Sequence, residues 1–135
     1  MDYLADTGFL IDLWRERGKQ GPATRFALAN SGKQVAISWV VAGEFLSGAL
    51  LASHDPELVS SFLARYPTVQ STDAIVACYA KLFMQLRKRN ELLGPNDLWI
   101  AAAALATGLA VLSRNSREFS RVPDLDVVDY TTVHA

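Results

Sequence analysis

Three carboxylates stand where a carboxylate is costly. Asp6 closes the apolar run Tyr3-Leu4-Ala5, Glu44 is the only charge in the 21 residues between Lys33 and Asp55, and after Asp97 no charge recurs until Arg114. A carboxylate set among apolar neighbours needs hydrogen bonds, an ion-pair partner or a bound cation. Asn115 and Glu118 follow another apolar run, Leu109 to Ser113, and add two more oxygen-bearing side chains near a segment end. Hard divalent cations take such ligands. Mg²⁺ binds one or a few carboxylates at about 2.1 Å and completes its octahedron with water and substrate phosphate oxygens. Without a cation, clustered carboxylates repel one another and some keep protons at neutral pH. The pattern predicts a metal site built on Asp6, Glu44 and Asp97. Structural roles compete at each position: Asp6 before Thr7-Gly8, and Asn96 or Asp97, suit helix N-caps. Asn115 suits a turn or cap, and Glu118 suits solvent or an arginine partner. Glu44, inside an apolar segment, has the weakest structural explanation.

These residues converge only if the intervening segments bring them together. Tyr3 to Ala5 reads as a strand, followed by a helix over Phe9 to Trp14; a second helix is expected over Ala23 to Ala29. Val35 to Ile37 is a short β-branched strand, and Ser38 caps a helix from about Val40 to Ala52. Asp55-Pro56 opens a helix that runs to about Tyr66, with proline in a tolerated first-turn position. Thr72 or Asp73 caps the next, which carries Ile75, Tyr79, Leu82, Phe83 and Leu86 at spacings of three and four and leaves through Arg87-Lys88-Arg89. An alanine-rich helix is expected from Leu98 to about Thr107, ended by Gly108. Leu109 to Ser113 reads as a third strand, Asn115 to Phe119 as a helical turn, and Leu125 to Tyr130 as a fourth strand. Short apolar strands alternating with helices predict an α/β fold with a mainly parallel central sheet flanked by helices. Ligands of such folds gather beyond the carboxyl ends of the strands. Asp6 falls there directly.

Composition narrows the classes. With 135 residues, 50% of them hydrophobic, the chain is long enough to bury a core without disulfides or a structural metal, and residues 1–135 read as a single domain. A single cysteine, Cys78, excludes an internal disulfide and favours a reducing, cytoplasmic compartment. The apolar run Leu98 to Ser113 is broken by Thr107-Gly108 and falls short of a membrane span, and no basic region marks the first residues as a signal peptide. Lys+Arg 13 against Asp+Glu 14 gives net −1, which argues against a strongly basic nucleic-acid coat protein. Basic residues nevertheless cluster: Arg15, Arg17 and Lys19; Arg87, Lys88 and Arg89; Arg114, Arg117 and Arg121. The third group flanks the carboxylates, so Arg114 and Arg117 are the preferred phosphate contacts, with solvated faces as the alternative. Setting aside Asp6, Glu44, Asp97 and Glu118 leaves ten acidic residues against 13 basic ones, a mildly basic surface around an acidic pocket.

Four segments occur in a telling order: Leu4-Ala5-Asp6-Thr7-Gly8-Phe9-Leu10-Ile11, Ile37-Ser38-Trp39-Val40-Val41-Ala42-Gly43-Glu44-Phe45, Gly94-Pro95-Asn96-Asp97-Leu98-Trp99-Ile100-Ala101-Ala102, and Leu112-Ser113-Arg114-Asn115-Ser116-Arg117-Glu118-Phe119. Together they resemble a PIN domain, and specifically a VapC-type toxin ribonuclease of a type II toxin–antitoxin system, over nearly the whole chain. The resemblance implies a PIN-like three-layer sandwich and Mg²⁺-dependent endoribonuclease activity, with Mn²⁺ a possible substitute. It implies that Asp6, Glu44 and Asp97 hold the ion, that Asn115 belongs to the catalytic set with Glu118 as an auxiliary, and that Thr7, Arg114 and Arg117 contact RNA. It further implies a homodimer and a VapB-like antitoxin whose C-terminal segment blocks the site. The chain departs from the family pattern at Gly8, where Asn or Ser is common, and at Asn115, where many members carry Asp. Two alternatives follow from those departures and from the chemistry: a catalytically silent PIN module that binds DNA or a regulatory partner, and a DNA-directed nuclease of the same fold.

Overall fold

The computed structural model describes residues 1–132. Five strands form one sheet: β1 (Tyr3–Ala5), β2 (Val35–Ser38), β3 (Thr68–Val69), β4 (Ala110–Leu112) and β5 (Val127–Val128), in the order β3-β2-β1-β4-β5. Every pairing is parallel, with Leu4 opposite Ala36 on one side and Val111 on the other. Parallel sheets are covered on both faces. Accordingly Leu4, Ala5, Ala36, Val111 and Leu112 have no solvent exposure.

Seven helices flank the sheet among the described residues: α1 (Thr7–Glu16), α2 (Pro22–Ala29), α3 (Trp39–Leu51), α4 (Pro56–Leu63), α5 (Asp73–Lys88), α6 (Pro95–Thr107) and α7 (Ser116–Phe119). Four of them start after short polar residues whose oxygens accept from orphan backbone N–H groups: Asp6 from Phe9, Ser38 from Val41, Asp55 from Glu57 and Thr72 from Ile75. Glu16 performs this task at a distance, accepting from the N–H groups of Ala23 (3.2 Å) and Thr24 (2.8 Å) at the start of α2. Its side chain lies so close to Gly21 that a Cβ there would sit 2.2 Å from Glu16 Cδ. α6 carries Ala101 to Ala104 fully buried, small enough to let it lie against α5 and α3, and ends at Gly108 in the left-handed conformation, φ 72°. The single-turn α7 is anchored by fully buried Phe119, a burial that contributes about 2 kcal/mol.

Three expectations are corrected. The sheet has five strands because Thr68–Val69 pairs with Ile37 and Ser38, a two-residue element too short to carry a periodic signal. α6 begins at Pro95, three residues before Leu98, so Asp97 lies inside the first turn rather than at the cap, which is Gly94. The last strand shrinks to Val127–Val128, and Tyr130 lies beyond it, buried in the core.

From β1 the chain steps outward to β2 and β3 and then returns to β4 on β1's other side. The strand order therefore reverses between β1 and β4, where a crevice opens at the carboxyl ends. Asp6 lies at that point, its N–H donating to Leu112 O of β4 (3.0 Å).

Candidate active site

Asp6 is 8% exposed and held on both oxygens. Its Oδ1 accepts from Phe9 N–H (3.0 Å), and its Oδ2 accepts a short hydrogen bond from the Ser113 hydroxyl. Ser113 Oγ in turn accepts from Asn115 N–H (2.8 Å), so the loop after β4 is tied to the residue after β1. Glu44 points from α3 toward two neighbours: Thr7 Oγ1 donates to its Oε1 (2.7 Å) and Asn96 Nδ2 to its Oε2 (3.2 Å). α1, α3 and α6 thus meet at one carboxylate. Asp97, half-buried, accepts no side-chain hydrogen bond among the described residues.

The electrostatics of Asp97 report the convergence. Burial, then the negative charges of Asp6, Glu118 and Glu44 in that order, push its carboxyl up to about 6. Asp6 is also raised, chiefly by burial, against the opposing hydrogen bonds from Ser113 and Phe9 N–H and the charge of Arg114. Four acidic groups from four elements therefore share a field with no cation of their own beyond Arg114. Among the described residues, no group of three or more His, Cys, Asp or Glu side chains is already gathered to ligand distance. Thr7 and Asn96 hold Glu44 by hydrogen bonds, and Ser113 holds Asp6. The donor set is hard oxygen with surplus negative charge, which fits a hard divalent ion and fits no soft metal.

Arg114 is placed by a contact outside the sequence expectations. Its Nη1 donates to both oxygens of Asp12 (3.0 and 3.2 Å), and Tyr130 Oη donates to Asp12 Oδ2 (2.5 Å). Burial and the negative charge of Asp12 push the Tyr130 hydroxyl far above its ordinary value, so it stays a donor. Arg117 and Asn115 are exposed, and the Asn115 side chain makes no capping bond. Gly8 lies against the site: a Cβ there would stand 3.4 Å from Asp6 Oδ1 and 3.7 Å from Arg114 Nε. The second and third basic clusters adjoin, since Arg89 Nη2 donates to Arg121 O (2.9 Å).

A match to the PIN domain family covers residues 3–125. The chain is 32% identical over 132 residues to ribonuclease VapC4 of Mycobacterium tuberculosis, covering 93% of this chain and 94% of that one. The chain belongs to the PIN domain family, in its VapC branch. Ribonuclease VapC1 of Haemophilus influenzae is 28% identical over 134 residues, covering 97% of this chain and 99% of its own. The 2.2 Å structure of VapBC-1 from nontypeable H. influenzae holds a chain that superposes with a TM-score of 0.84 at 27% identity, covering 98% of this PIN domain and all of that chain. PIN-domain VapC ribonucleases generally depend on a divalent metal ion.

Sequence reasoning missed Ser113 and Asn96, which brace the carboxylates of the candidate site, and Asp12, which anchors Arg114 beside it. Ser113 and Asn96 carried a signal, each being adjacent to a residue already singled out. Asp12 carried none: it sits on an ordinary amphipathic helix, and its partners lie 102 and 118 residues away.

Proposed function

We propose that this chain is the toxin of a type II toxin–antitoxin pair, a Mg²⁺-dependent endoribonuclease that hydrolyses RNA phosphodiester bonds, with Mn²⁺ a possible substitute. The observation that carries the reading is the gathering of Asp6, Glu44 and Asp97 at the switch point of the sheet, where Glu44 is held by Thr7 of α1 and by Asn96, the neighbour of Asp97 in α6. Asp6, Glu44 and Asp97 would hold the ion, with Glu118 as an auxiliary and Asn115 contributing an uncharged oxygen. When bound, the ion lowers the pKa of a water and offsets charge on the phosphate.

The chain's own residues do the rest. Ser113 and the Phe9 N–H fix Asp6, while Thr7 and Asn96 fix Glu44, so both reach the reaction without reorganising. Asp97 accepts no side-chain hydrogen bond among the described residues, so its oxygens would stay open to the ion or to a water that the ion holds. Hydrolysis forms a bond from water oxygen to phosphorus and breaks the bond to the leaving ribose oxygen, which takes up a proton. Arg117 and the free edge of half-exposed Arg114 contact phosphate. Thr7 acts at the substrate mainly by placing Glu44.

Exposed Leu46 and Leu50 of α3 line a cleft with Val59 and Leu63 of α4, an apolar surface suited to a VapB-like antitoxin and a second copy of the toxin. The whole of residues 1–135 serves as one PIN domain. The lone half-buried thiol of Cys78 suits cytoplasmic work, and no described helix is long and apolar enough to cross a membrane. The test is cleavage of single-stranded RNA and DNA by the purified chain with and without Mg²⁺. RNA cleavage abolished by chelator and by Asp97→Asn is the expected result; undiminished cleavage by Asp97→Asn refutes the assignment, and cleavage confined to DNA favours the DNA-directed alternative.

A further inference from the structure

Beside Glu44 lies an open groove of about 710 Å³, lined by Trp39, Val40, Gly43, Glu44, Asn96 and Trp99 among others. Its walls are aromatic and braced. Trp99 stacks on Tyr79 (centroids 3.8 Å apart, planes at 18°), and Trp39 meets Trp99 edge to face at 5.9 Å. Tyr79 continues to Phe83 one helical turn on (6.4 Å, 25°), and the Arg87 guanidinium lies over Phe83 at 6.0 Å. The row thus runs from the carboxylate site along α5 to a cation. Trp39, Trp99, Tyr79 and Phe83 pack against the core on one side and keep partial solvent access on the other, and of the four Trp39 and Trp99 line the groove itself.

Gly43 adds an independent observation. It sits mid-helix in α3, where glycine costs about 1 kcal/mol relative to alanine. Neither a positive φ nor crowding explains it, because a Cβ there would meet no atom within 4 Å. Residues four apart on a helix are neighbours, so a side chain at 43 would lie toward Trp39 and fill the groove. Glycine keeps that space open.

We propose that this groove is a nucleobase subsite, in which an unpaired base of the strand stacks on the Trp39–Trp99 wall next to the phosphate at Glu44. The proposal rests on the nuclease reading for the phosphate, and on the groove alone for the base. Aromatic walls bind bases of any sequence because every base has a π-face, and rings already braced by neighbours lose little freedom on binding. Glu44 and Asn96 belong to both the groove and the carboxylate site, so a nucleotide whose phosphate reaches the acids has its base within the aromatic walls. Single-stranded RNA is the occupant because only unpaired bases offer a free face.

The experiment measures binding of a fluorescent ten-nucleotide RNA, and of the same strand with abasic sites, to the full chain in Mg²⁺ buffer. All proteins carry Asp97→Asn to prevent cleavage. Trp39→Ala and Gly43→Leu are each expected to weaken binding of the base-bearing strand about 10- to 100-fold and to leave the abasic strand unaffected. Trp39→Phe should recover most of the loss. Gly43→Leu removes no packing and favours helix, so it keeps the test decisive if Trp39→Ala unfolds. Equal binding by all variants overturns the proposal, as does a change from dimer to monomer in both variants with strand binding intact, which would assign the face to a second copy. The nuclease reading fails separately: an otherwise unmodified chain that cleaves no RNA, yet binds in a base-dependent way, refutes that reading and leaves the subsite standing.

Discussion

Asp6 and Asp12 lie six residues apart at and within one helix, and they meet opposite fates. Asp12 is neutralised: Arg114 pairs with both its oxygens and Tyr130 donates to one of them. Asp6 is hydrogen-bonded but shares its field with Asp97, Glu44 and Glu118, and the surplus charge falls most heavily on Asp97. The first region is a closed structural network. The second is held open, with its carboxylates braced by Thr7, Asn96 and Ser113 yet lacking counter-charge. A fold does not retain clustered like charges for stability, so the contrast separates scaffold from site by compensation of charge rather than by residue type.

Removing charge should therefore have different consequences on the two sides. The largest effect expected is on turnover: Asp97→Asn should lower RNA cleavage by at least ~10²-fold, the scale of a lost electrostatic contact at the reacting group, measured under saturating Mg²⁺. On the scaffold side, Asp12→Ala should cost about 2 kcal/mol in urea unfolding. Most of that loss comes from the stranded Tyr130 hydroxyl, since half-exposed Arg114 regains water. Activity loss without stability loss in Asp12→Ala would break the distinction.

Asp97→Asn should have the opposite sign for stability in metal-free protein. A carboxyl raised from 3.8 to about 6 binds its proton more tightly in the folded chain, so its contribution favours folding at low pH and is lost as pH rises through about 4 to 6. At pH 7 the variant should be more stable than the parent by about 1 kcal/mol, after allowing for solvent screening of a half-exposed group. The difference should vanish below about pH 4. Thermal unfolding in chelator across that range checks it. The smallest effect belongs to Gly8→Ser, which reduces the freedom of the unfolded chain and should stabilise by about 0.5 kcal/mol, placing a hydroxyl near Asp6. Destabilisation there would mean the contact at 3.4 Å is tighter than its neighbours can accommodate.

The parallel α/β architecture was legible because the buried strands are short apolar runs and three helix starts announce themselves through Ser38, Asp55-Pro56 and Thr72. Thr68–Val69 was not, since its pairing with β2 depends on a position in space and not on a pattern of its own. At the site, Asp6, Glu44 and Asp97 stood out as isolated charges in apolar sequence. The start of α6 was misjudged by three residues because Pro95-Asn96-Asp97 looks like punctuation and is in fact the first turn, where Asp97 is turned inward and Asn96 reaches Glu44. Arg114 was singled out for its charge and position, but the Asp12–Tyr130 partnership that orients it joins residues more than 100 positions apart. Long-range polar pairs of this kind leave no local trace.

Uncompensated carboxylates at the switch point should take up a divalent cation, which calorimetric titration of the metal-free chain with Mg²⁺ or Mn²⁺ between pH 5 and 7.5 measures. Binding should be saturable at pH 7.5, weaken as pH falls through about 6 while Asp97 takes up its proton, and be greatly reduced in Asp97→Asn. No binding at pH 7.5, or binding that neither pH nor Asp97→Asn alters, would contradict it.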